Sequence, residues 1–337
     1  MKMPSIGDLS RALVLRQSNF ALRGEIQRLS QETTTGIRAD ISRHLSGDLA
    51  GLSQIEARLS SAHAYRRVAV EAGATASGMH AALAGIQVIS DENAANLLSD
   101  TALATSHGLK SVADAAAGQL NSVIAALNTN IGGRFVFSGA KSDTPPLVHA
   151  HELIALAGEV IEGVDNADEA VALLQNWFSA ASGEDGFADH AYRGGLADGT
   201  DFGIDGTNRI RFGQTANDPG ARSVLLGLTL GALVSRGAFA GDHAAQAVML
   251  RAGGGALIAA NADISLSRAD LGMTEQVIER SATRLTSLTT NLQIERNNIM
   301  GVDSYDAGSS LIQAEAQLEM LFALTARLSK LSLARYL

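Results

Sequence analysis

Leu271, Ile278, Leu285, Leu292 and Ile299 recur every seven residues near the end of a 337-residue chain. Such a repeat predicts a long helix with a narrow apolar seam, which is stable only against a partner helix. A second stripe, Leu311, Ala314, Leu318, Leu321, Leu324, Leu328 and Leu331, advances in steps of three and four almost to the last residue. Gly301 and Asp303 mark the break between the two. At the other end Leu15, Leu22 and Leu29 are also spaced by seven, with Leu9, Leu13, Phe20 and Ile26 on neighbouring faces. "QETTTG" (31–36) predicts a stop, because Gly36 can take a positive φ. Two terminal helices that each need an apolar partner are expected to pack on each other.

Between them, helical spacing runs through Leu52, Ile55, Leu59, Ala62, Leu83, Ile86 and Ile89. It continues through Leu109, Val112, Ala116, Leu120, Val123 and Leu127. No proline occurs between Pro4 and Pro145, which permits very long helices. The phrase "NIGGRFVFSGAKSDTPPL" (130–147) breaks this texture. Gly132 and Gly133 are expected to end the helix, and Arg134, Phe135 and Phe137 to lie in a short extended segment. Beyond Gly139, Pro145 and Pro146 are expected to turn the chain outward.

The segment that follows differs in kind. Residues 141–250 hold three of the four prolines, fifteen glycines, and fifteen acidic against six basic groups. Two short helices are expected within 151–182. "GTDFGIDGTNRIRFG" (199–213) alternates apolar residues around Asp205-Gly206, a hairpin pattern. Residues 223–250 are expected to return to helix. The expected fold is mainly α: long N- and C-terminal helices in a coiled-coil-like bundle, with an inserted mixed α/β middle domain. The expected parts are a terminal helix (1–36), a connector (37–51), a shaft (52–140 and 251–300), an outer domain (141–250) and a C-terminal helix (301–337).

Composition excludes several chemistries. There is no cysteine, hence no disulfide or thiolate site. The basic ends are too sparse and too poor in aromatics for a nucleic-acid footprint. Residues 224–234, the longest apolar stretch, are too short to cross a membrane, and no signal peptide is expected.

Candidate sites fare no better. His149 and His151 lead into a helix, where residues two apart diverge, so no metal site is expected. "DGTDFGIDG" fails the calcium-loop template, with Gly203 and Phe212 where ligands belong. "RAGGGALI" (251–258) lacks the Lys-Ser/Thr of a phosphate loop and is expected to be a flexible re-entry point. Asp168-Glu169 and Glu184-Asp185 sit in polar contexts where nothing shifts a carboxyl. No cofactor and no enzymatic activity are expected.

The 130–147 phrase resembles one found in the bacterial flagellar hook–filament junction proteins (hook-associated proteins) of the flagellin superfamily. "SLIQAEAQLEMLFALTARLSKLSLARYL", at the end of the chain, is similar to their C-terminal helix. "EIQRLSQETTTGIRAD" (25–40) resembles the flagellin-type N-terminal helix and connector. The resemblance implies a non-enzymatic extracellular subunit, exported through the flagellar type III apparatus without a cleaved signal. Its terminal helices would self-assemble in the axial core beside neighbouring hook-associated protein and flagellin subunits, after escort by an export chaperone. Assembly contacts would then fall to Leu13, Phe20, Leu318, Leu321, Leu328, Leu331 and Tyr336. A flagellin proper, and more distantly a helical signalling module, are the alternatives.

Overall fold

The computed structural model describes residues 6–334 except 197, 198 and 200. Its elements are α1 (Ile6–Thr35), α2 (Ile41–His44), α3 (Ala50–Leu97), α4 (Asp100–Leu103) and α5 (Ser106–Leu127), then β1 (Asn130–Ile131) and β2 (Arg134–Phe135). They continue as α6 (Ala150–Val160), α7 (Ala167–Ser179), α8 (Phe187–His190), β3 (Asp201–Gly203), β4 (Arg209–Arg211), α9 (Pro219–Ser235), α10 (His243–Met300) and α11 (Ser304–Ala334). The protein is mainly α, as its periodicity requires. The chain divides into two compact units, Met1–His63 with Ser287–Leu337, and Ala64–Thr286.

In the first unit α1 and α11 pack on each other. Leu29, Ala307 and Ala314 are buried between them, and Leu15, Leu22, Leu311, Leu318 and Leu321 are half-buried. Leu324 leaves the expected stripe and is exposed. Two successive three-residue steps from Leu318 rotate it by about 120° off the contact line. The stop at Gly36 and the break at Gly301 are both present, and they lie side by side. Arg38 N–H donates to the Met300 carbonyl (2.9 Å), and Val302 N–H to the Gly36 carbonyl (3.0 Å). This two-bond bridge sets α1 and α11 antiparallel. Below it Ile55, Leu59 and Leu292 form a small separate core.

The second unit is built on an antiparallel pair, α3 and α10. On α3, Ala69, Ala76, Leu83, Ser90 and Leu97 are buried at seven-residue intervals, and so are Ala72, Met79, Ile86 and Asn93. On α10 the buried repeat runs Leu250, Leu257, Ile264, Leu271, Ile278 and Leu285, three positions further upstream than the sequence repeat announces. The helical spacing expected from Leu52 to the glycines is carried by three helices, α3, α4 and α5. Ser99 and Thr105 cap new helices by accepting from the amides of Ala102 and Gly108.

Residues 251–258 are not a flexible joint. They are helical, and their glycines allow close packing. A Cβ on Gly253 would lie 2.7 Å from the Gly227 carbonyl oxygen, and one on Gly254 would lie 2.7 Å from Leu98 Cγ. α9 thereby enters the core between α5 and α10, with every residue from Val224 to Val234 buried. Its apolar run is a core helix, and among the described residues no helix is long and apolar enough to cross a membrane. Residues of the 141–250 segment thus share one core with the shaft.

The hairpin expected in 199–213 is present. Asp201 pairs with Arg211, Phe202 with Ile210 and Gly203 with Arg209. Phe202, Ile204, Ile210 and Phe212 are all buried. The Asp205 carboxylate closes the loop by accepting from the amides and side chains of Thr207 and Asn208. Burial raises the Asp205 carboxyl, but the bonds from Asn208 and Thr207 outweigh it and hold the group well below the usual carboxylate range.

Candidate assembly interface

α1 and α11 carry apolar side chains on two faces. The inner face of each helix is used up in their mutual contact. On the outer face of α1, Leu13 and Phe20 lie seven residues apart and are exposed, Phe20 to 82%. About half a turn away from its buried stripe, α11 presents Tyr305, Ile312, Ala316, Met320 and Ala323, all exposed. Tyr305 is 83% exposed. Each large apolar side chain gains about 1.5–3 kcal/mol when fully covered, so this row is a substantial reservoir of association energy.

The expected assembly residues therefore separate. Leu13 and Phe20 face outward. Leu318 and Leu321 are half-buried in the α1–α11 contact itself. The side chains of Leu328 and Leu331, and the whole of Tyr336, lie outside the described residues. Reading only the leucine stripe missed the outer row of α11. The signal was there, because Tyr305, Ile312 and Met320 share one helical face at steps of seven and eight.

Polar contacts fix the shape of this pair. The Arg23 guanidinium stands over the Phe322 ring, 5.9 Å from its centroid. Glu32 is buried at the end of α1, where Arg28 donates to both of its carboxylate oxygens at 2.8 Å. The same carboxylate accepts from Ala39 N–H at 3.0 Å, which folds the connector back against the helix. The hydrogen bonds that Arg28 donates to Glu25, with support from Glu32, raise the guanidinium above its ordinary value against the opposing effect of burial.

The 130–147 phrase is a packing hub of the second unit. Asn128 caps α5, so the helix ends before the glycines. Gly132 and Gly133, at φ +60° and +86°, form a two-residue hairpin turn in which Ile131 pairs with Arg134. Positive φ at both positions is what a type I′ turn requires. The extended segment is correspondingly shorter than expected, ending at Phe135. Phe137, Ser138 and Gly139 are buried. The Phe137 carbonyl accepts from Ala216 N–H (3.0 Å), and the Ser138 carbonyl accepts from Gly195 N–H (2.7 Å). Pro145 is exposed, but Pro146 is buried and its carbonyl accepts from Arg193 N–H (2.8 Å), so the chain turns inward here.

His149 is the N-cap of α6 and not yet helical, so its ring stacks on His151 with centroids 5.8 Å apart instead of diverging. Among the described residues no group of three or more histidine or acidic side chains is placed to hold a metal ion.

Among curated proteins, no relative matches the chain. Residues 255–337, which supply most of α10 and all of α11, match the family model of the bacterial flagellin C-terminal helical region.

Proposed function

We propose that this protein is a structural subunit of the bacterial flagellum, a non-enzymatic adaptor that joins hook to filament. The observation that carries the reading is the doubly apolar α11, which falls within the segment similar to the flagellin C-terminal region. One face of α11 pairs with α1, and the other is left for neighbouring subunits. The 130–147 phrase and the "LSLARYL" ending favour a junction protein. In this reading the chain is exported by the flagellar type III route with the help of a chaperone, and it acts outside the cell.

Deleting residues 328–337 tests the axial role. The truncated protein should keep the second unit folded and fail to enter the assembly. Filament growth on hooks that carry only the truncated protein would overturn the proposal.

The second reading, a filament subunit, is favoured by the matched region being that of flagellin itself. The loss-of-function phenotype separates the two. Hooks that release flagellin into the medium point to a junction protein, and absence of the filament protein points to a flagellin.

A further inference from the structure

Beside the apolar seam of α3 and α10 runs a row of polar side chains. Asn261 donates to Asp91, Gln87 donates to Ser265, and Arg268 donates to Gln87. The row ends at His80, and its geometry there admits only one protonation state. The Arg268 Nη2 and His80 Nε2 atoms are 3.3 Å apart. A guanidinium has no acceptor, so the imidazole nitrogen must accept. The neutral ring therefore carries its proton on Nδ1. That nitrogen is buried and makes no hydrogen bond, because the nearest carboxylate oxygen, Glu275 Oε2, is 3.6 Å away.

We infer that His80 is a proton-operated switch in the α3–α10 seam. A second proton places an N–H on Nε2, facing the N–H of a permanent cation, and that contact must break. The same proton makes the ring a cation 3.6 Å from Glu275. The ring therefore exchanges partners on acidification, leaving Arg268 and closing on Glu275. Arg268, which holds α3 at both Gln87 and His80, then holds it at Gln87 alone. α10 presents Arg268 and Glu275 to the ring, and β1 packs nearby at Gly78 through the apolar Ile131. The side chains of His80 and Glu275 are about a third exposed (36% and 34%), so protons reach them without unfolding. The switch stands on this geometry and not on the flagellar reading.

The test is nitrogen NMR of the intact protein with labelled histidine, the His80 signal being identified by its loss in His80→Gln. At about pH 8 His80 is expected in the Nδ1–H form, opposite to the Nε2–H form that free histidine favours. Arg268→Met, which removes every donor, should return it to Nε2–H, whereas Arg268→Lys, which keeps a donor, should not. On acidification from about pH 8 to pH 5, amide exchange around residues 78–82 and 266–270 should rise after correction for intrinsic rates. Matched helical circular dichroism ensures that the variants are folded. An Nε2–H ring at pH 8, a tautomer unmoved by Arg268→Met, or amide exchange unchanged on acidification would each overturn the switch.

Discussion

Gly227 of α9 and Gly253 of α10 face each other so closely that a Cβ on either would lie 2.7 Å from the other's carbonyl oxygen. The obstruction on both sides is backbone, which cannot swing away as a side chain can. Alanine at either position should push the helices apart and destabilise the second unit by about 1–3 kcal/mol, despite alanine's better helix propensity. Urea denaturation of Gly253→Ala measures this, and an unchanged or higher midpoint would contradict the packing account.

The turn at Gly132-Gly133 offers a contrasting case, since nothing lies within 4 Å of an added Cβ at either position. The cost of substitution there is conformational and not steric. Gly133→Ala should cost about 1–2 kcal/mol, and Gly133→Asn, which tolerates the left-handed region, should cost less. Equal losses in the two variants would rule out backbone conformation as the reason for glycine.

Asp205 sets an acid limit on the hairpin. Its folded-state affinity for protons lies below the unfolded one, so its contribution is complete above the usual carboxylate range and lost as pH falls through the depressed value. Asp205→Asn should lower stability at neutral pH and flatten its decline in strong acid. Thermal melts of both proteins from neutral to acid pH should therefore converge, and parallel curves would exclude this carboxylate as the cause.

The outer row of α1 and α11 should separate assembly from folding. Phe20→Ser with Ile312→Ser removes exposed apolar surface, so the stability of the isolated chain should change by less than about 0.5 kcal/mol per site. Incorporation into a sedimentable flagellar assembly should fall sharply. Normal incorporation by the double variant would show that the row is not an interface.

The long helices were legible because apolar residues at fixed intervals leave few alternatives. The α3 seam was less visible than that of α10 because Ala62, Ala69, Ala76 and Ser90 occupy its repeat. Small residues carry little hydrophobic signal, yet they let two helices approach closely. The glycines of α10 misled for the same reason. Their low helix propensity reads as a break, but the α9 contact repays it. Of the candidate interface, Leu13 and Phe20 were named as apolar residues beside the heptad leucines of α1, with their assembly role implied by the family resemblance. The outer row of α11 was not, because a helix with two apolar faces has no single amphipathic direction to read.

The paired breaks at Gly36 and Gly301 have a mechanical consequence. Both strands that leave the α1–α11 pair pass through one bridge, stitched by the Arg38–Met300 and Val302–Gly36 backbone bonds. Tension applied to either helix is therefore divided between two covalent paths at its root. If the subunit is held by its terminal helices in a fibre, as proposed, each pull on α1 or α11 reaches that root as a strain shared between both connecting strands.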